Sequence, residues 1–337
     1  MVFFKNKIHI YFVNIDYCSL LYTFVWTKNR FLVVKMNKYI IVVALGALSF
    51  GMLSSFAKIA YGQGYTAGEV TLTQALMGTL ILWTIVVFKS IKNRKKITPN
   101  WKLLLAGTSM GTSTYTYYLS VAYIPASLAI VLLMQITWLS IAVEWIFFKK
   151  KPNAVEVWCA VFVIVGTVLA GNLLDLGSSN ISIIGVLLSL LSALLYTLYI
   201  VFTSKIGKET PMFEKSALMT SGSAMIIFLI NCEAIVTSTH LDFGLLQWGV
   251  FLAVFGTVIP PICFSVGMPK IGAGLSSVLL TLELPAAVFC AHIILGEKVT
   301  FLQIIGIGVM LGSIVYLNVA KVKKAKAIRK QTANSLV

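Results

Sequence analysis

Long apolar runs, separated by short polar segments, are the main pattern of this chain. Runs such as IIVVALGAL and VLLSLLSALL do not alternate apolar and polar positions, so they do not resemble transmembrane β-strands. A helix that crosses a bilayer needs about 20 mostly apolar residues, because lipid offers no water to backbone groups. The pattern therefore predicts an all-α integral membrane protein. We place ten transmembrane helices at residues 38–58, 68–88, 101–120, 125–148, 153–171, 181–204, 213–235, 245–268, 272–294 and 299–320.

Composition supports a membrane protein over a soluble one. Hydrophobic residues make up 58% of the 337 residues and charged residues only 11%, whereas soluble domains average about 25% charged residues. Four of the five cysteines lie in or at the ends of apolar segments, and none forms a C-x-x-C pair. Small packing residues are the interpretation that we favour over a metal site or a disulfide framework.

The distribution of basic residues predicts the orientation of the chain. If the first helix starts in the cytoplasm, Lys58 and Lys298 are the only two of the 27 Lys and Arg residues that fall outside. This is the positive-inside pattern, and it predicts that both termini are cytoplasmic. The net charge of +16 is then explained by helix orientation, and we expect no nucleic-acid partner. The expected location is a bacterial plasma (inner) membrane, with the lipid bilayer as partner.

Residues 1–35 do not fit this plan cleanly, because an apolar stretch at 8–27 is interrupted by His9, Asn14 and Asp16. We favour an N-terminal extension, either disordered or preceding a natural start at Met36. An interfacial segment and an extra span are the alternatives that stay open. The remaining organisation is a five-helix repeat at 36–171, a second at 181–320 and a basic cytoplasmic tail at 321–337.

An internal repeat appears when the sequence is compared with itself at an offset of 147 residues. Trp101 then meets Trp248, and the Val-Leu-Leu at 131–133 meets the same three residues at 278–280. Each half holds five predicted helices, and an odd number inserts the second half upside down. A 5+5 inverted repeat of this kind is the architecture of many secondary transporters, which hold their substrate near the membrane midplane.

Two segments resemble a known family. IGAGLSSVLLTLELPAAVFCAHIILGEKVTFLQIIGIGVMLGSIVYLN has an acid and a proline in mid-helix, then Leu-Gly-Glu at 295–297. It resembles the closing segment of EamA-like members of the drug/metabolite transporter superfamily, and AYIPASLAIVLLMQITWLSIAVEWIFF resembles the matching segment of the first half. The resemblance covers 38–320 and implies ten helices in a 5+5 inverted repeat, alternating access, and export or exchange of amino acids or related metabolites. Two positions depart from the family pattern: Ile136-Thr137-Trp138 replaces a frequent Glu-x-Pro, and Gln74 replaces a frequent Arg.

Glu283 is the sharpest candidate for a functional residue. It lies near the middle of the span 272–294, where an acidic side chain costs about 2.5–3.5 kcal/mol on insertion scales. Pro285 frees a backbone carbonyl and interrupts the helix next to it. We expect Glu283 to take part in substrate or proton movement. A structural hydrogen bond from a neutral Glu283 is the alternative.

Other candidates for the substrate pathway are polar or aromatic residues at helical spacing. Small hydroxyl residues on the same helices also serve helix packing, and Trp138 could equally face lipid. Pro260 and Pro261 should kink the eighth helix and form a natural gate, whereas Glu297 and Lys298 fit simple capping of a short turn. The pathway candidates besides Glu283 are Gln74, Tyr115, Tyr118, Gln135, Trp138, Tyr196 and Tyr199.

These features favour a secondary transporter that moves a small metabolite, an amino acid or a related zwitterionic or amphiphilic solute, with export as the expected direction. Protons are the candidate coupling ion. A channel or a non-transporting membrane scaffold is the alternative. An enzyme is not expected, because the three His are not spaced for a metal and no G-x-S-x-G or H-E-x-x-H motif occurs. No cofactor and no metal are expected.

Overall fold

The computed structural model describes residues 38–94, 100–149, 151–171, 182–203, 206, 209–236, 242–271 and 279–334. The predictions for residues 1–35, for the start of the ninth span at 272–278 and for the last three residues of the tail lie outside the described residues.

The first half of the described chain consists of five helices, α1 to α5. Capping boxes fix the starts of two of them: Thr66 pairs with Glu69 before α2, and Asn153 pairs with Glu156 before α5. In each box the N-cap side chain and the carboxylate satisfy backbone N–H groups that have no partner within the helix. The bounds are α1 Lys38–Gly62 with a turn at Met52, α2 Ala67–Asn93, α3 Trp101–Tyr123, α4 Ala126–Leu133 and Ile136–Phe148, and α5 Ala154–Ala170.

The second half continues with helices α6 to α10. A short helix, Cys232–Val236, follows α7 after a turn at Asn231, so the predicted span 213–235 is not one continuous helix. The bounds are α6 Ile183–Thr203, α7 Met212–Ile230, α8 Phe243–Ile271 with a π-helical turn at Ala253–Val258, α9 Glu283–Leu295 and α10 Phe301–Asn334.

Seven helices in the described residues are long and apolar enough to cross a membrane: α1, α2, α4, α6, α7, α8 and α10. α5 and α9 are apolar but shorter. α3 is long enough, and its hydroxyl-rich sequence, GTSMGTSTYTYY, makes it more polar than the others. Many large apolar side chains are exposed on the outer faces, such as Phe88, Phe162 and Ile304, as expected for contact with lipid.

α4 is interrupted by a break, and a break of the same backbone geometry precedes α9. In α4 the N–H of Gln135 bonds the carbonyl of Leu132 at 3.2 Å. Directly before α9 the N–H of Leu282 bonds the carbonyl of Leu279 at 3.1 Å. Both are tight i to i−3 bonds, and the two pairs are separated by the same 147 residues that relate the halves in sequence. The offset of 147 residues therefore also relates the local backbone structure of the two halves.

The ends of these helices recur at the same offset. α4 ends at Lys149 and α9 at Gly296, both in the left-handed conformation with φ of 55° and 67°. The next helices, α5 and α10, begin at capping boxes spanning 153–156 and 300–303. Glycine adopts a positive φ without strain, whereas lysine does so at a cost. The same left-handed turn therefore occurs at both positions, although one residue is a lysine and the other a glycine.

Helices of the two halves approach closely where glycines face a backbone. Gly107 of α3 lies against the main chain of Met219 in α7, and Gly222 of α7 lies against Leu104 in α3. α5 and α10 meet in the same way through Gly166 and Gly306. Small residues allow such close packing of helices in membranes. The main apolar core lies between α4, α5, α9 and α10.

Two helix shapes differ from the sequence predictions. α10 was placed at 299–320 with a tail after it, but the helix runs on to Asn334, because its Ala, Lys and Arg residues are good helix formers. In α8, Pro260 and Pro261 follow a π-helical turn. Neither proline has an N–H to offer the preceding turn, and a wider turn accommodates that loss without ending the helix.

Candidate functional site

A cavity lies in the middle of the molecule, between helices of both halves. Its wall is formed by α1, α2, α3, α4, α6, α7, α8 and α9. Small aliphatic side chains alternate with hydroxyl, amide and carboxyl groups. The polar lining residues are Ser54, Thr71, Gln74, Ser113, Thr114, Tyr117, Tyr118, Ser192, Tyr196, Thr220, Ser223, Thr257 and Glu283.

Glu283 enters the cavity from the first position of α9, directly after the helix break. Pro285 lies in the first turn of this helix, where a missing N–H is tolerated, and the N–H of Leu284 bonds the carbonyl of Thr281 at 3.3 Å. Gly51 of α1 lies against the carbonyl of Glu283. Within the described part of the chain, the carboxylate of Glu283 has no hydrogen-bond or ion-pair partner.

Three further polar groups in the cavity wall are buried without a hydrogen-bond partner among the described residues. They are the hydroxyl of Ser54, the Oε1 atom of Gln74 and the hydroxyl of Tyr118. Tyr118 lies close to Gln74, and Tyr117 lies close to Ser54, but neither pair has the geometry of a full hydrogen bond. Ser54, Gln74 and Tyr118 are each less than a tenth exposed. A buried polar group without a partner costs about 1–3 kcal/mol. Buried polar groups of this kind are expected in a binding site, where a polar ligand supplies the missing hydrogen bonds.

Several other hydroxyls of the wall are satisfied within the protein. Ser113 of α3 and Ser192 of α6 exchange hydrogen bonds, with the Ser113 hydroxyl donating to the Ser192 carbonyl at 2.9 Å. Thr71 and Thr220 donate to carbonyls of their own helices. These groups hold helices together and shape the wall, which leaves the partnerless groups as the first candidates for binding.

A second cavity adjoins the first and shares Phe50, Tyr196 and Thr257 with it. Tyr199 stacks on Tyr196 with ring centroids 5.7 Å apart. Lining residues there include Pro260, Pro261, Met212 and Lys215, at the start of α7 and beyond the π-helical turn of α8. The combined space therefore extends toward the end of the molecule that the basic residues predict to be cytoplasmic.

The opposite end of the molecule is closed by side-chain contacts. Tyr61 donates to the carbonyl of Tyr118 at 3.1 Å, and Tyr65 donates to Asp242 at 2.8 Å. The backbone N–H of Leu245, together with the Tyr65 hydroxyl, holds the pKa of Asp242 below its usual value. Lys58 and Glu297 form an ion pair at 3.3 Å at this end.

Three of the predicted pathway residues do not line the cavity. The Nε2 of Gln135 donates to the hydroxyl of Thr167 in α5, and the indole N–H of Trp138 donates to Oε1 of Gln135 at 2.7 Å. Tyr115 packs with Leu72 and Ile227 instead. Gln135 and Trp138 thus join α4 to α5. Their role in transport stays a prediction, whereas Gln74, Tyr118, Tyr196, Tyr199, Pro260 and Pro261 line the two cavities.

Sequence reasoning missed Ser54, Tyr117 and Thr257 as lining residues. Ser54 follows the Gly51-Met52 break of α1, and that break was the available signal, since glycine next to a polar residue in an apolar span marks a close approach of helices. Tyr117 and Thr257 carry no comparable signal. Only the packing of α3 and α8 turns them toward the cavity.

The described residues contain no group of three or more His, Cys, Asp or Glu that could hold a metal ion. The cavity is instead a site for hydrogen bonding and one carboxylate. Among the residues that line the first cavity there is no Lys, Arg or His. Its chemistry suits a neutral or amine-bearing solute better than an anion.

Known proteins share this sequence pattern over nearly its whole length. The model of the EamA-like transporter family matches twice, at residues 37–172 and 183–319. "Uncharacterized transporter YcbK" of Bacillus subtilis (strain 168) is 23% identical over 294 residues, which covers 85% of this chain and 94% of that protein. "Threonine/homoserine exporter RhtA" is 27% identical in Salmonella typhimurium (strain SL1344), over 83% of this chain and 90% of the relative.

A solved crystal structure of another protein has the same fold. It superposes with a TM-score of 0.55 at 12% sequence identity, and the match covers 84% of this chain and 98% of that one. The double match of one family to the two halves agrees with the recurrence of the α4–α5 and α9–α10 geometry. The chain belongs to the EamA-like transporter family.

Proposed function

We propose that this chain is a secondary transporter that exports an amino acid or a related zwitterionic or amphiphilic solute by alternating access. That it is an integral membrane protein and a small-molecule transporter follows from its family and its apolar helices. The cavity that combines the Glu283 carboxyl with three buried polar groups lacking a hydrogen-bond partner among the described residues is the observation that supports solute binding.

The proposed architecture is ten spans in a 5+5 inverted repeat. It is supported by the double family match, by the shared breaks and caps at an offset of 147 residues, and by paired helix contacts. α3 packs on α7 as α8 packs on α2, and α4 packs on α6 as α9 packs on α1. Contacts related in this way are expected from a two-fold relation between halves, and they allow rocking of one half against the other.

The proposed substrate chemistry follows from the lining groups. A carboxylate at Glu283 and the amide oxygen of Gln74 are acceptors, so they suit the N–H donors of an ammonium group. The hydroxyls of Ser54 and Tyr118 can donate to a carboxylate or a hydroxyl of the same solute. Threonine and homoserine, which appear in the names of relatives, have these groups and are the first solutes to test.

Glu283 also offers a route for proton coupling. A substrate ammonium would be paired by the ionised carboxylate, and its departure would leave a charge that a proton neutralises. One site that holds either a proton or the solute exchanges the two across the membrane. This arrangement would couple export to proton entry.

The deciding experiment is transport by the purified full chain in proteoliposomes, with and without an imposed pH gradient. We expect saturable transport of threonine or homoserine that a pH gradient accelerates. Glu283→Gln keeps size and hydrogen bonding but removes the charge, so we expect at least about a tenfold loss of transport and a flat pH profile.

Glu144→Gln is the matched control, because Glu144 lies in α4 and does not line the cavities. Equal rates and pH profiles for Glu283→Gln and wild type would remove Glu283 from the mechanism. Flux that rises linearly with solute concentration would indicate a channel instead.

A further inference from the structure

Glu297 makes the densest set of polar contacts in the closed end of the molecule. Its Oε1 accepts from the backbone N–H of Ala126 at 2.7 Å and from Lys58 at 3.3 Å. Its Oε2 accepts from the backbone N–H of Ser127 at 3.1 Å and from the Ser127 hydroxyl. Capping of its own turn, which the sequence suggested, is therefore not its main role: Glu297 caps the start of α4.

These contacts join the two halves of the chain. Ala126 and Ser127 begin α4, and Lys58 lies near the end of α1, in the segment 37–172, whereas Glu297 lies in 183–319. An anion at a helix N-terminus interacts with unpaired N–H groups and with the helix dipole. Lys58 adds an opposite charge, and it also donates to the carbonyl of Ile124 at 3.2 Å. One carboxylate therefore holds two elements of the other half.

Burial raises the pKa of the Glu297 carboxyl. Hydrogen bonds from Ser127 and Ala126, together with the charge of Lys58, lower it by more than burial raises it, so the pKa lies below its usual value. The carboxylate is therefore ionised at neutral pH, in the form that makes all of these contacts.

The sequence provides this arrangement at one end only. At an offset of 147 residues, the position related to Glu297 is Lys150 and the position related to Lys58 is Lys205. Two lysines cannot form the same pair. The cavities, meanwhile, extend toward the other end, at the start of α7.

We propose that Glu297, Lys58 and the start of α4 form a latch that keeps the outer end of the cavity closed. This inference rests on the proposed alternating access, since the latch has to release for the cavity to open outward. Release separates the Glu297 carboxylate from the N–H groups of α4 and from Lys58, and water then solvates both charges. The function of Glu297 is to position α4 against α9; it is not required to touch the solute.

Accessibility of a cysteine behind the latch tests this proposal in the full chain. Ile130 is buried one turn inside Ser127 and lines the cavity. I130C is introduced together with C232S, because Cys232 is exposed, and a membrane-impermeant maleimide is added to intact cells. The same chain without I130C measures labelling of the other cysteines.

We expect slow labelling of I130C with the native latch and about a tenfold faster rate with Glu297→Gln, since charge-assisted hydrogen bonds to α4 are lost. Lys58→Gln removes the ion pair alone and should give a smaller increase, of about threefold. Glu297→Asp, which keeps the charge, should fall between Glu297→Gln and the native latch. Lys298→Gln, at the adjacent exposed position, is the charge-matched control and should change nothing.

An unchanged labelling rate in Glu297→Gln, with the protein present in the membrane, would overturn the latch. So would an equal increase in Lys298→Gln, because a general charge effect would then explain the result. If Glu297→Gln does not reach the membrane, the labelling rate of I130C is compared between Lys58→Gln and the native latch instead. An unchanged rate in Lys58→Gln would then overturn the latch. Labelling needs no substrate, so a failed transport screen and a failed latch give distinguishable results.

Discussion

Single side chains in the central cavity combine burial with missing hydrogen bonds. Ser54, Gln74 and Tyr118 each keep a buried polar atom without a partner in the described residues. An apolar side chain of the same shape would avoid this cost. Their presence is therefore better explained by a ligand than by folding, and substitutions can separate the two explanations.

Tyr118→Phe removes a hydroxyl that has no partner in the described part of the protein. We expect thermal stability in detergent to stay equal or to rise, because no protein hydrogen bond is lost, whereas the KM for transport should rise about fivefold to tenfold. Both are measured on the same purified preparation.

Tyr61→Phe is the matched control, because the Tyr61 hydroxyl donates to the carbonyl of Tyr118. It should lower stability by about 1 kcal/mol, which Tyr118→Phe should not do. A loss of stability in Tyr118→Phe, with an unchanged KM, would show that its hydroxyl serves the fold.

For single residues, the sequence could predict how deep a polar side chain lies in its helical span, but not which side chains surround it. Glu283, Gln74 and Tyr118 were selected as polar groups within apolar spans, and they do line the cavity. Gln135 was selected by the same reasoning, yet its amide bonds Thr167 and Trp138. Helical spacing gives the face on which a side chain lies. Which helix covers that face depends on packing that the sequence pattern does not contain.

The helices themselves are joined by glycine contacts and interrupted near the cavity. α1, α4 and α9 each have a turn within the predicted span, and α8 has a π-helical turn. Irregular backbone within a membrane protein is tolerated where it is buried in protein or lines a cavity, which is where these interruptions lie. The irregular backbone thus lies at the site, while α3 and α7 are packed tightly.

Gly107→Ala tests the tight contact of α3 with α7. An added Cβ would collide with the main chain of Met219, which cannot move aside as a side chain can. We expect destabilisation of about 1–3 kcal/mol, seen as a lower thermal unfolding midpoint in detergent.

Gly308→Ala in α10 is the control, since a Cβ there meets nothing within 4 Å. It should be neutral or stabilising by up to about 1 kcal/mol, because alanine favours a helix. Equal midpoints for the two variants would show that α3 and α7 are less closely packed than described.

Helix positions were predictable at this scale, whereas helix shapes were not. Apolar runs of the right length gave the starts of most helices within a few residues, whereas α9 begins at Glu283 and its span was predicted from 272. The extension of α10 to Asn334 was missed because a basic run reads as a solvated tail, although its residues favour helix. The prolines of α8 indicated an irregularity, but whether a chain kinks or widens into a π-helical turn depends on neighbouring helices.

The whole molecule is expected to have both ends of the chain in the cytoplasm. Ser90→Cys lies near the end of α2 and should resist an impermeant maleimide in intact cells, whereas Cys232, after α7, should react. Permeabilised cells should label both. Labelling of Ser90→Cys in intact cells would reverse or break the proposed topology, and a silent Cys232 in intact cells would do the same.

A closure that exists at one end alone makes the apparent affinity for the solute unequal on the two sides of the membrane. A solute in the cytoplasm meets a cavity that already extends toward it. A solute outside binds only the fraction of molecules that happen to be open there, so its apparent dissociation constant is raised by the inverse of that fraction. The final concentration ratio is unaffected, because both directions share the same states. The protein would therefore have a lower apparent dissociation constant for solute in the cytoplasm than for solute outside.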